Sequence, residues 1–214
     1  MGYSLKNKKI LITCGPTWVP IDAVRVVSNV SSGELGQRIA LDCVNAGAHV
    51  TLLEGPVARP LTSRSIRILK FCFFDELQRL LKQELRKNVD VVIHAAAVAD
   101  YKLKVPVRHK LSSEKKTLRL EFIATPKLIR IIKRVQPKTF LAGFKLESNI
   151  TRESAHHKAK NLFRVADCDV VVVNELTARG YKGFILDKHN TISASAADRK
   201  RMSKALVRIL SERL

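Results

Sequence analysis

The sequence predicts an α/β fold, a doubly wound and mostly parallel sheet covered by helices on both faces. Short apolar segments alternate along the chain with segments of helical periodicity, as consecutive β–α units do. The apolar segments are continuous runs rich in Val, Ile and Phe, which is typical of parallel strands buried on both faces. A chain of 214 residues with 46% apolar residues can build such a core. We therefore expect one Rossmann-like domain over residues 1–214.

Each predicted element follows from this alternation. The predicted strands are Ile10–Cys14, His49–Leu53, Ile66–Phe71, Val89–His94, Phe140–Phe144 and Val170–Val173. The predicted helices are Gly33–Ala46, Asp75–Lys87, Thr125–Val135, Ser154–Ala166 and Lys200–Arg213. Gly47 stands where a glycine commonly follows a helix, just before the second strand. Thr125 and Pro126 indicate a helix N-cap followed by a proline in the first turn.

Two segments interrupt the alternation. Residues Tyr101–Glu121 are polar and lysine-rich and then alternate as Leu-Arg-Leu-Glu-Phe, which predicts a protruding flap closed by a strand. Residues Phe184–Ser193, with turn-forming Asp187–Asn190, predict a small hairpin before the last helix.

The charge is strongly positive, +20 from 39 Lys and Arg against 19 Asp and Glu. Nucleic acid, an anionic membrane surface and small polyanionic substrates all attract such a chain, and a basic cellular environment would also explain it. The basic residues are spread out, with modest clusters at Lys127–Arg134 and Arg199–Arg208 and no interleaved aromatics to stack bases. We expect no specific nucleic-acid partner, although a basic nucleic-acid-binding protein stays open as an alternative.

The cysteines and histidines do not indicate a metal site or disulfides. Four isolated cysteines are expected to be buried thiols in a reducing cytoplasm, and six scattered histidines lack metal-ligand spacing. No segment is apolar enough to span a membrane, and residues 1–9 lack the apolar core of a signal peptide. We expect a cytoplasmic protein with no membrane partner.

The segment 9–37 is the most informative. A strand enters a Gly-Pro-Thr turn, and Asn29 and Ser31-Ser32-Gly33 precede a helix, an order that places backbone N–H groups where a phosphate can bind. The segment lacks both G-x-G-x-x-G and G-x-x-x-x-G-K-[ST]. Its length and polar residues suit a substrate as well as a phosphate.

Further candidates lie at the ends of later strands. The small residues Ala95–Ala97 precede Asp100, so a ligand could lie against this backbone, or the segment could be a packed corner. Lys110 could reach a polyphosphate from the flap or belong to a solvated loop. Phe144 could wall a base pocket or pack in the core, and Asn174 could bind a ligand or cap a turn.

The order and spacing of these segments resemble those of phosphopantothenate–cysteine ligases (phosphopantothenoylcysteine synthetases), the amide-forming enzymes of coenzyme A synthesis. The matching segments are G-P-T-x-x-P-I-D-x-V-R-x-x-S-N-x-S-S-G-x-L-G (15–36), A-A-V-A-D-Y (96–101), H-K-L-S-S (109–113), T-P-K-L (125–128), G-F-K-L-E (143–147) and V-V-N-E (172–175). The likeness runs from Lys9 to the last helix. In many bacteria this domain follows a flavin-containing decarboxylase domain, whereas here we expect a stand-alone ligase without flavin.

The resemblance implies a two-step reaction. The carboxylate of 4′-phosphopantothenate attacks the α-phosphate of CTP or ATP and releases pyrophosphate, and the amine of L-cysteine then displaces the nucleoside monophosphate. It also implies Mg²⁺ held mainly through nucleotide phosphates, and a homodimer in which the flap completes the neighbouring site. The segments H-K-L-S-S and F-K-L-E are similar to those of stand-alone and eukaryotic members, some of which prefer ATP, so we favour CTP only modestly.

The resemblance also implies residue roles. Asn29 contacts the acyl group, Arg25 supports the same loop, and Lys110 reaches the triphosphate; these three are the implied catalytic residues. The implied substrate- and nucleotide-binding residues are Ser31, Ser32, Gly33, Ala95, Ala96, Asp100, Pro126, Lys127, Leu128, Ile129, Phe144, Lys160, Arg164 and Asn174. Glu175 stands where the fused bacterial members have Asp.

A nicotinamide-dependent reductase is the alternative enzyme. Its fold is the same, and Glu54 ends the second predicted strand, where an acidic residue binds the ribose in that class. The short glycine fingerprint of the class is missing.

Overall fold

The computed structural model describes residues 3–105, 107–114, 116–178, 180–189 and 191–214. Pro106 and Lys115 of the predicted flap and Asn190 of the predicted hairpin turn lie outside the described residues.

Within these residues the chain forms twelve strands and five helices, numbered here in chain order. The strands are β1 (Lys9–Cys14), β2 (Trp18–Pro20), β3 (Val26–Ser28), β4 (His49–Glu54), β5 (Ile66–Lys70), β6 (Val91–His94), β7 (Tyr101–Leu103), β8 (Phe122–Ala124), β9 (Phe140–Leu146), β10 (Val170–Thr177), β11 (Gly180–Asp187) and β12 (Ile192–Ala196). The helices are α1 (Glu34–Asn45), α2 (Phe74–Leu85), α3 (Ile129–Val135), α4 (Arg152–Ala166) and α5 (Arg199–Arg213).

Eight of these strands form one sheet in the order β12-β11-β10-β9-β6-β1-β4-β5. The strands from β10 to β5 are parallel, and β11 and β12 extend the sheet as an antiparallel hairpin. From β1 the chain proceeds outward to β4 and β5 and then returns to β6, on the other side of β1. The sheet therefore has a switch point between β1 and β6, where open sheets of this kind bind ligands at the carboxyl ends of their strands.

Both faces of the sheet are covered. The core on one face joins Ile12 of β1 to Ile39 of α1 and Leu206 of α5. The other core joins Leu11, the neighbour of Ile12, to residues of α2, α3 and α4. Successive side chains of a strand point to opposite faces, which explains why one apolar run contributes to both cores. The predicted doubly wound α/β fold is confirmed.

The predicted helix start at Thr125 is wrong. Helix α3 begins at Ile129, with Leu128 at its N-cap position. The hydroxyl of Thr125 instead donates to the carbonyl oxygen of Ala99 at 2.6 Å. The Thr-Pro pair therefore fastens the strand that returns from the flap to the segment after β6.

Several predicted strand boundaries also differ, among them those of β10 and β8. The strand predicted to end at Val173 continues as β10 to Thr177, because its second half pairs in register with β11. The strand that closes the flap is β8, which pairs with β7, and residues 118–121 lie outside it.

The glycine predicted after the first helix is confirmed: Gly47 has φ 93° and its N–H donates to the carbonyl of Val44 at 2.8 Å.

Candidate functional site

A cavity of about 560 Å³ lies over the carboxyl ends of the parallel strands, on the face covered by α1 and α5. Its walls are the loop before α1, the segment after β6 and the last residues of β9 and β10. The predicted site residues that line it are Asn29, Ser31, Ser32, Gly33, Ala95, Ala96, Asp100, Phe144 and Asn174. Residues far apart in the sequence thus meet at the switch point.

The amino end of α1 forms one wall. Gly33 precedes the helix with φ 71°, a left-handed conformation that favours glycine, and a Cβ there would come within 2.8 Å of Val57 Cγ1. A Cβ on Gly36 would meet the Cβ of Cys14 at 2.4 Å, so this glycine lets the first helical turn pack against the end of β1. Gly33 and the first residues of α1, Glu34–Gly36, line the cavity, so the positive end of the helix dipole faces it, as suits an anion.

The segment after β6 forms the opposite wall. The N–H groups of Ala95 and Ala97 donate to the carbonyl oxygens of Thr13 (3.0 Å) and Gly15 (2.9 Å). The chain thus continues alongside β1 past the end of the strand. The segment is thus a hydrogen-bonded corner that also lines the cavity, and a ligand lying against its backbone stays a prediction.

The side chain of Asn29 joins the two walls. Its amide nitrogen donates to the carbonyl oxygen of Ala97 at 3.1 Å and approaches that of Val98 at 3.4 Å. The amide is exposed to the cavity. The contact fixes the loop before α1 relative to the segment after β6.

A second, smaller cavity of about 130 Å³ lies on the other side of the same strand ends, near α3 and α4. Its lining includes the predicted residues Pro126, Lys127, Leu128, Ile129 and Phe144. It shares Ala96, Val98, Asp100 and Phe144 with the larger cavity. The two cavities therefore adjoin at the ends of β6 and β9, and we call them the larger and the smaller arm of one cleft.

The charges at the smaller arm are paired or absent. Asp100 and Lys127 form an ion pair between exposed side chains. His94 is buried at the end of β6, with Nδ1 3.0 Å from Thr13 Oγ1. Burial lowers the pKa of His94 from 6.5 to about 4, so the imidazole is neutral near pH 7.

Arg25 lies outside both arms and holds the flap. Its Nε and Nη2 donate to Asp22 Oδ2 at 2.9 and 2.6 Å, and Nη2 also donates to the carbonyl oxygen of Leu111 at 2.7 Å. The N–H of Leu111 donates to the same carboxylate oxygen at 3.0 Å. The hydrogen bond from Arg25, helped by the backbone N–H of Leu111, keeps the pKa of Asp22 far below its usual value. Lys110, the neighbour of Leu111, is exposed and lines neither arm.

The remaining predicted residues lie outside the cleft lining. Lys160 and Arg164 are exposed on α4 and line neither arm, and Arg164 donates to Asn161 Oδ1 at 3.2 Å. The Glu175 carboxylate accepts from the N–H of Ile150 at 2.6 Å and so orders the segment before α4.

The lining residues that the sequence analysis did not predict include three with polar or charged side chains from the far part of the chain: Lys145, Tyr181 and Arg199. They come from β9, β11 and the start of α5, and only the sheet order brings them near Asn29. The sequence did offer a signal for the start of α5: the side chain of Asp198 accepts from the N–H of Arg201 and caps the helix. That signal locates Arg199 at the helix start but does not indicate a site.

Glu54, the acidic residue that a dinucleotide-binding reductase would use to bind the ribose, already binds other groups of the protein. Glu54 is fully buried, and its carboxylate accepts from Gln37 Nε2 (2.7 Å), the N–H of Leu61 (3.1 Å) and Lys70. These contacts leave it bound to protein groups rather than facing the cleft. The structure therefore gives no support to the reductase alternative.

Two features are absent from the described residues. These residues contain no group of three or more His, Cys, Asp or Glu residues arranged to hold a metal ion. No helix among them has the length and apolar character to cross a membrane.

Comparison with known proteins gives consistent matches. A family model described as "DNA/pantothenate metabolism flavoprotein C-terminal domain" matches residues 5–212. The coenzyme A biosynthesis bifunctional protein CoaBC of Thermococcus kodakarensis is 33% identical over 213 residues, covering 99% of this chain and 51% of the relative. The chain thus spans about half the length of that relative.

Solved structures share the fold. The C-terminal domain of a coenzyme A biosynthesis bifunctional protein CoaBC matches with a TM-score of 0.82 and 27% identity, covering 99% of this chain and 97% of that one. A Cab2 mutant in complex with phosphopantothenate-cysteine matches with a TM-score of 0.71 and 18% identity, covering 97% and 87%.

Proposed function

Because the chain belongs to the family of DNA/pantothenate metabolism flavoprotein C-terminal domains, we propose that it is a phosphopantothenate–cysteine ligase of coenzyme A biosynthesis. It joins 4′-phosphopantothenate to L-cysteine through an acyl-nucleotide intermediate. The observation that carries the proposal is the two-armed cleft, in which Asn29 bridges an anion-binding helix end and a wall of small residues.

The first step needs a site that brings two anions together. The carboxylate oxygen of the acid attacks the α-phosphorus of the nucleotide, and the bond to the leaving pyrophosphate breaks. Cationic and N–H groups must offset the repulsion between the reactants. The amino end of α1 with Ser31–Gly33, and the cationic side chains of Lys145 and Arg199, line the larger arm, where we place the phosphates and the acid.

The second step replaces the nucleotide by an amine. The cysteine amine attacks the acyl carbon, the nucleoside monophosphate leaves, and the amine loses a proton. We propose that Asn29, at the junction of the two walls, contacts the acyl group during this exchange. The base then lies in the smaller arm against Phe144 and Pro126–Ile129.

The co-substrate is proposed to be CTP, with ATP as the alternative, accompanied by Mg²⁺. The carboxylates that line the arms, Glu34 and Asp100, are each ion-paired to an arginine or lysine. We therefore assign Mg²⁺ mainly to phosphate oxygens and water, the ligands that it commonly keeps in nucleotide sites. The roles of Lys110, Lys160 and Arg164 toward the triphosphate rest on the family resemblance alone.

We also propose that the protein is a homodimer. The small sheets β2–β3 and β7–β8 contact each other and expose apolar side chains: Val24, Val26, Val27, Tyr101, Phe122 and Ile123. Exposed apolar side chains concentrated on two adjoining hairpins are typical of an interaction surface. A second copy of the chain is the occupant that the family resemblance favours.

The activity is tested with 4′-phosphopantothenate, L-cysteine, Mg²⁺ and either CTP or ATP. Pyrophosphate should appear when the acid and one nucleotide are present, and the amide product only when cysteine is added. The absence of pyrophosphate with both nucleotides would reject the ligase proposal.

Asn29→Asp separates the two steps. The substitution places a negative charge beside the acyl group, so pyrophosphate release should persist in part while amide formation falls by about a hundredfold. Asn45→Asp, at the exposed end of α1, is the matched control and should leave both rates near wild type. Equal losses in both steps would contradict the role given to Asn29.

A further inference from the structure

Arg199 is held in the larger arm by two contacts. It is the first residue of α5, and its Nη1 lies 3.3 Å from Glu34 Oε2. Its guanidinium carbon lies 5.9 Å from the centre of the Tyr181 ring. Only a quarter of its side chain is exposed. The guanidinium is thus held beside Glu34, the residue that follows the Ser31–Gly33 loop.

The ring beneath the guanidinium has little freedom. Tyr181 is 8% exposed and extends along β11 over Gly183. A Cβ on Gly183 would come within 3.0 Å of Tyr181 Oη and 2.6 Å of Met202 Cε. The glycine therefore provides the space that the ring occupies, and the ring gives Arg199 a rigid platform.

The carboxylate that pairs with Arg199 has a second cationic partner. Arg38 Nη2, one helical turn along α1, lies 3.7 Å from Glu34 Oε1. If an anion takes over Arg199, Glu34 keeps its pair with Arg38 and is not left without a counter-charge. The ion pair of Arg199 with Glu34 is therefore replaceable at low energetic cost.

We propose that Arg199 binds a phosphate group of a substrate and exchanges its contact with Glu34 for this phosphate. A planar guanidinium that is already oriented can donate two parallel hydrogen bonds to phosphate oxygens. The identity of the substrates rests on the proposed function, in which both the nucleotide and 4′-phosphopantothenate carry phosphate.

The test measures binding without turnover, by calorimetry with CTP, ATP, 4′-phosphopantothenate and pantothenate, each alone. Arg199→Ala should weaken the phosphate-bearing ligand that it contacts by about tenfold or more, the loss typical of a charge-assisted hydrogen bond. Arg199→Lys, which keeps the charge, should recover part of the affinity. The matched control is Arg201→Ala, two residues along α5, where the side chain is 76% exposed and pairs with Asp198.

Comparing the four ligands distinguishes the two substrates that could supply the phosphate. A loss confined to CTP or ATP assigns Arg199 to the nucleotide, and a loss for 4′-phosphopantothenate but not pantothenate assigns it to the acid. Glu34→Gln removes the competitor and should tighten the same ligand. Unchanged affinity for all phosphate ligands in Arg199→Ala, with a thermal midpoint equal to wild type, would overturn the inference.

Failure of this inference differs from failure of the proposed function. A wild-type protein that releases no pyrophosphate but loses nucleotide affinity on Arg199→Ala would refute the ligase and retain the phosphate site. Full ligase activity with no effect of Arg199→Ala on any KM would refute the phosphate site and retain the ligase.

Discussion

Buried polar side chains hold the strand ends around the cleft. Thr13 shows how: its hydroxyl contacts His94 Nδ1 at 3.0 Å and accepts from the N–H of Ala96 at 3.2 Å. Thr17 accepts from the N–H of Ala99 at 2.8 Å. Each buried hydroxyl thus pairs with the segment after β6, which avoids the penalty of leaving its polar groups without partners. The small residues of that segment can then face the cleft.

His94 should make the stability of the fold depend on pH above the range in which carboxylates titrate. Its pKa is about 4 in the folded protein and about 6.5 when unfolded, so between these values the unfolded chain binds more protons. The free energy of unfolding should therefore fall by about 1 kcal/mol per pH unit as the pH decreases from about 6.5 to about 4.5. Urea unfolding at a series of pH values measures this slope.

His94→Gln provides the comparison, because glutamine can still bond Thr13 but does not titrate. The variant can be less stable overall, yet its stability should change less steeply between about pH 4.5 and about pH 6.5. Identical slopes in the two proteins would show that His94 binds its proton as readily in the folded state as in the unfolded state.

At the scale of secondary structure, the sequence patterns predicted the elements whose position depends on nearby residues alone. The apolar runs of β1, β4 and β6 predicted their strands because burial on both faces demands uninterrupted apolar residues. The start of α3 was missed because Thr125 bonds Ala99, 26 residues away, and so does not cap a helix. A tertiary contact of this kind overrides a local capping signal.

For the candidate site, too, some lining residues were predicted from the sequence and others were not. Residues 29–33 and 95–100 lie in contiguous segments with recognisable chemistry, and the structure brings them to one cavity. Arg199 and Tyr181 carry no such local signal, and their position depends on how β11 and α5 return to the sheet. Arg25 was predicted to support the Asn29 loop, and its guanidinium binds Asp22, earlier in the same segment, and the carbonyl oxygen of Leu111 in the flap.

The contact between the β2–β3 hairpin and the flap suggests a positioning role for Asp22. Its side chain is fully buried and accepts from the N–H groups of Val24, Arg25 and Leu111 as well as from the Arg25 guanidinium. Asp22→Asn should loosen the flap and lower the rate of pyrophosphate release by about tenfold, because small displacements of a reacting group are costly. Asp75→Asn, on the exposed first turn of α2, is the control.

A double variant tests whether the effect acts through Lys110. If Asp22 positions that lysine, Asp22→Asn combined with Lys110→Gln should be no slower than Lys110→Gln alone. Multiplicative losses would show that Asp22 acts elsewhere. The depressed pKa keeps Asp22 ionised until the pH falls well below 3.8, so its contribution should not change between about pH 5 and about pH 8.

The whole molecule combines a large positive charge with a local apolar surface. A charge of +20 attracts anionic substrates to the cleft from a distance, and salt screens that attraction. The same charge makes two copies of the chain repel each other. Self-association must therefore come from short-range contacts, such as those of the exposed apolar side chains of β2–β3 and β7–β8, rather than from long-range attraction.

This balance predicts how the proposed homodimer responds to salt and to mutation. Added salt should strengthen association, because it screens the repulsion while leaving apolar contacts intact. Ile123→Glu, at a side chain 39% exposed on β8, should shift the mass measured by sedimentation from twice 24.0 kDa toward 24.0 kDa. Leu41→Glu, at 40% exposure on α1, is the matched control and should leave the dimer unchanged. A wild-type protein that sediments as a monomer at micromolar concentration in moderate salt would contradict the dimer, and equal dissociation by both variants would place the interface elsewhere.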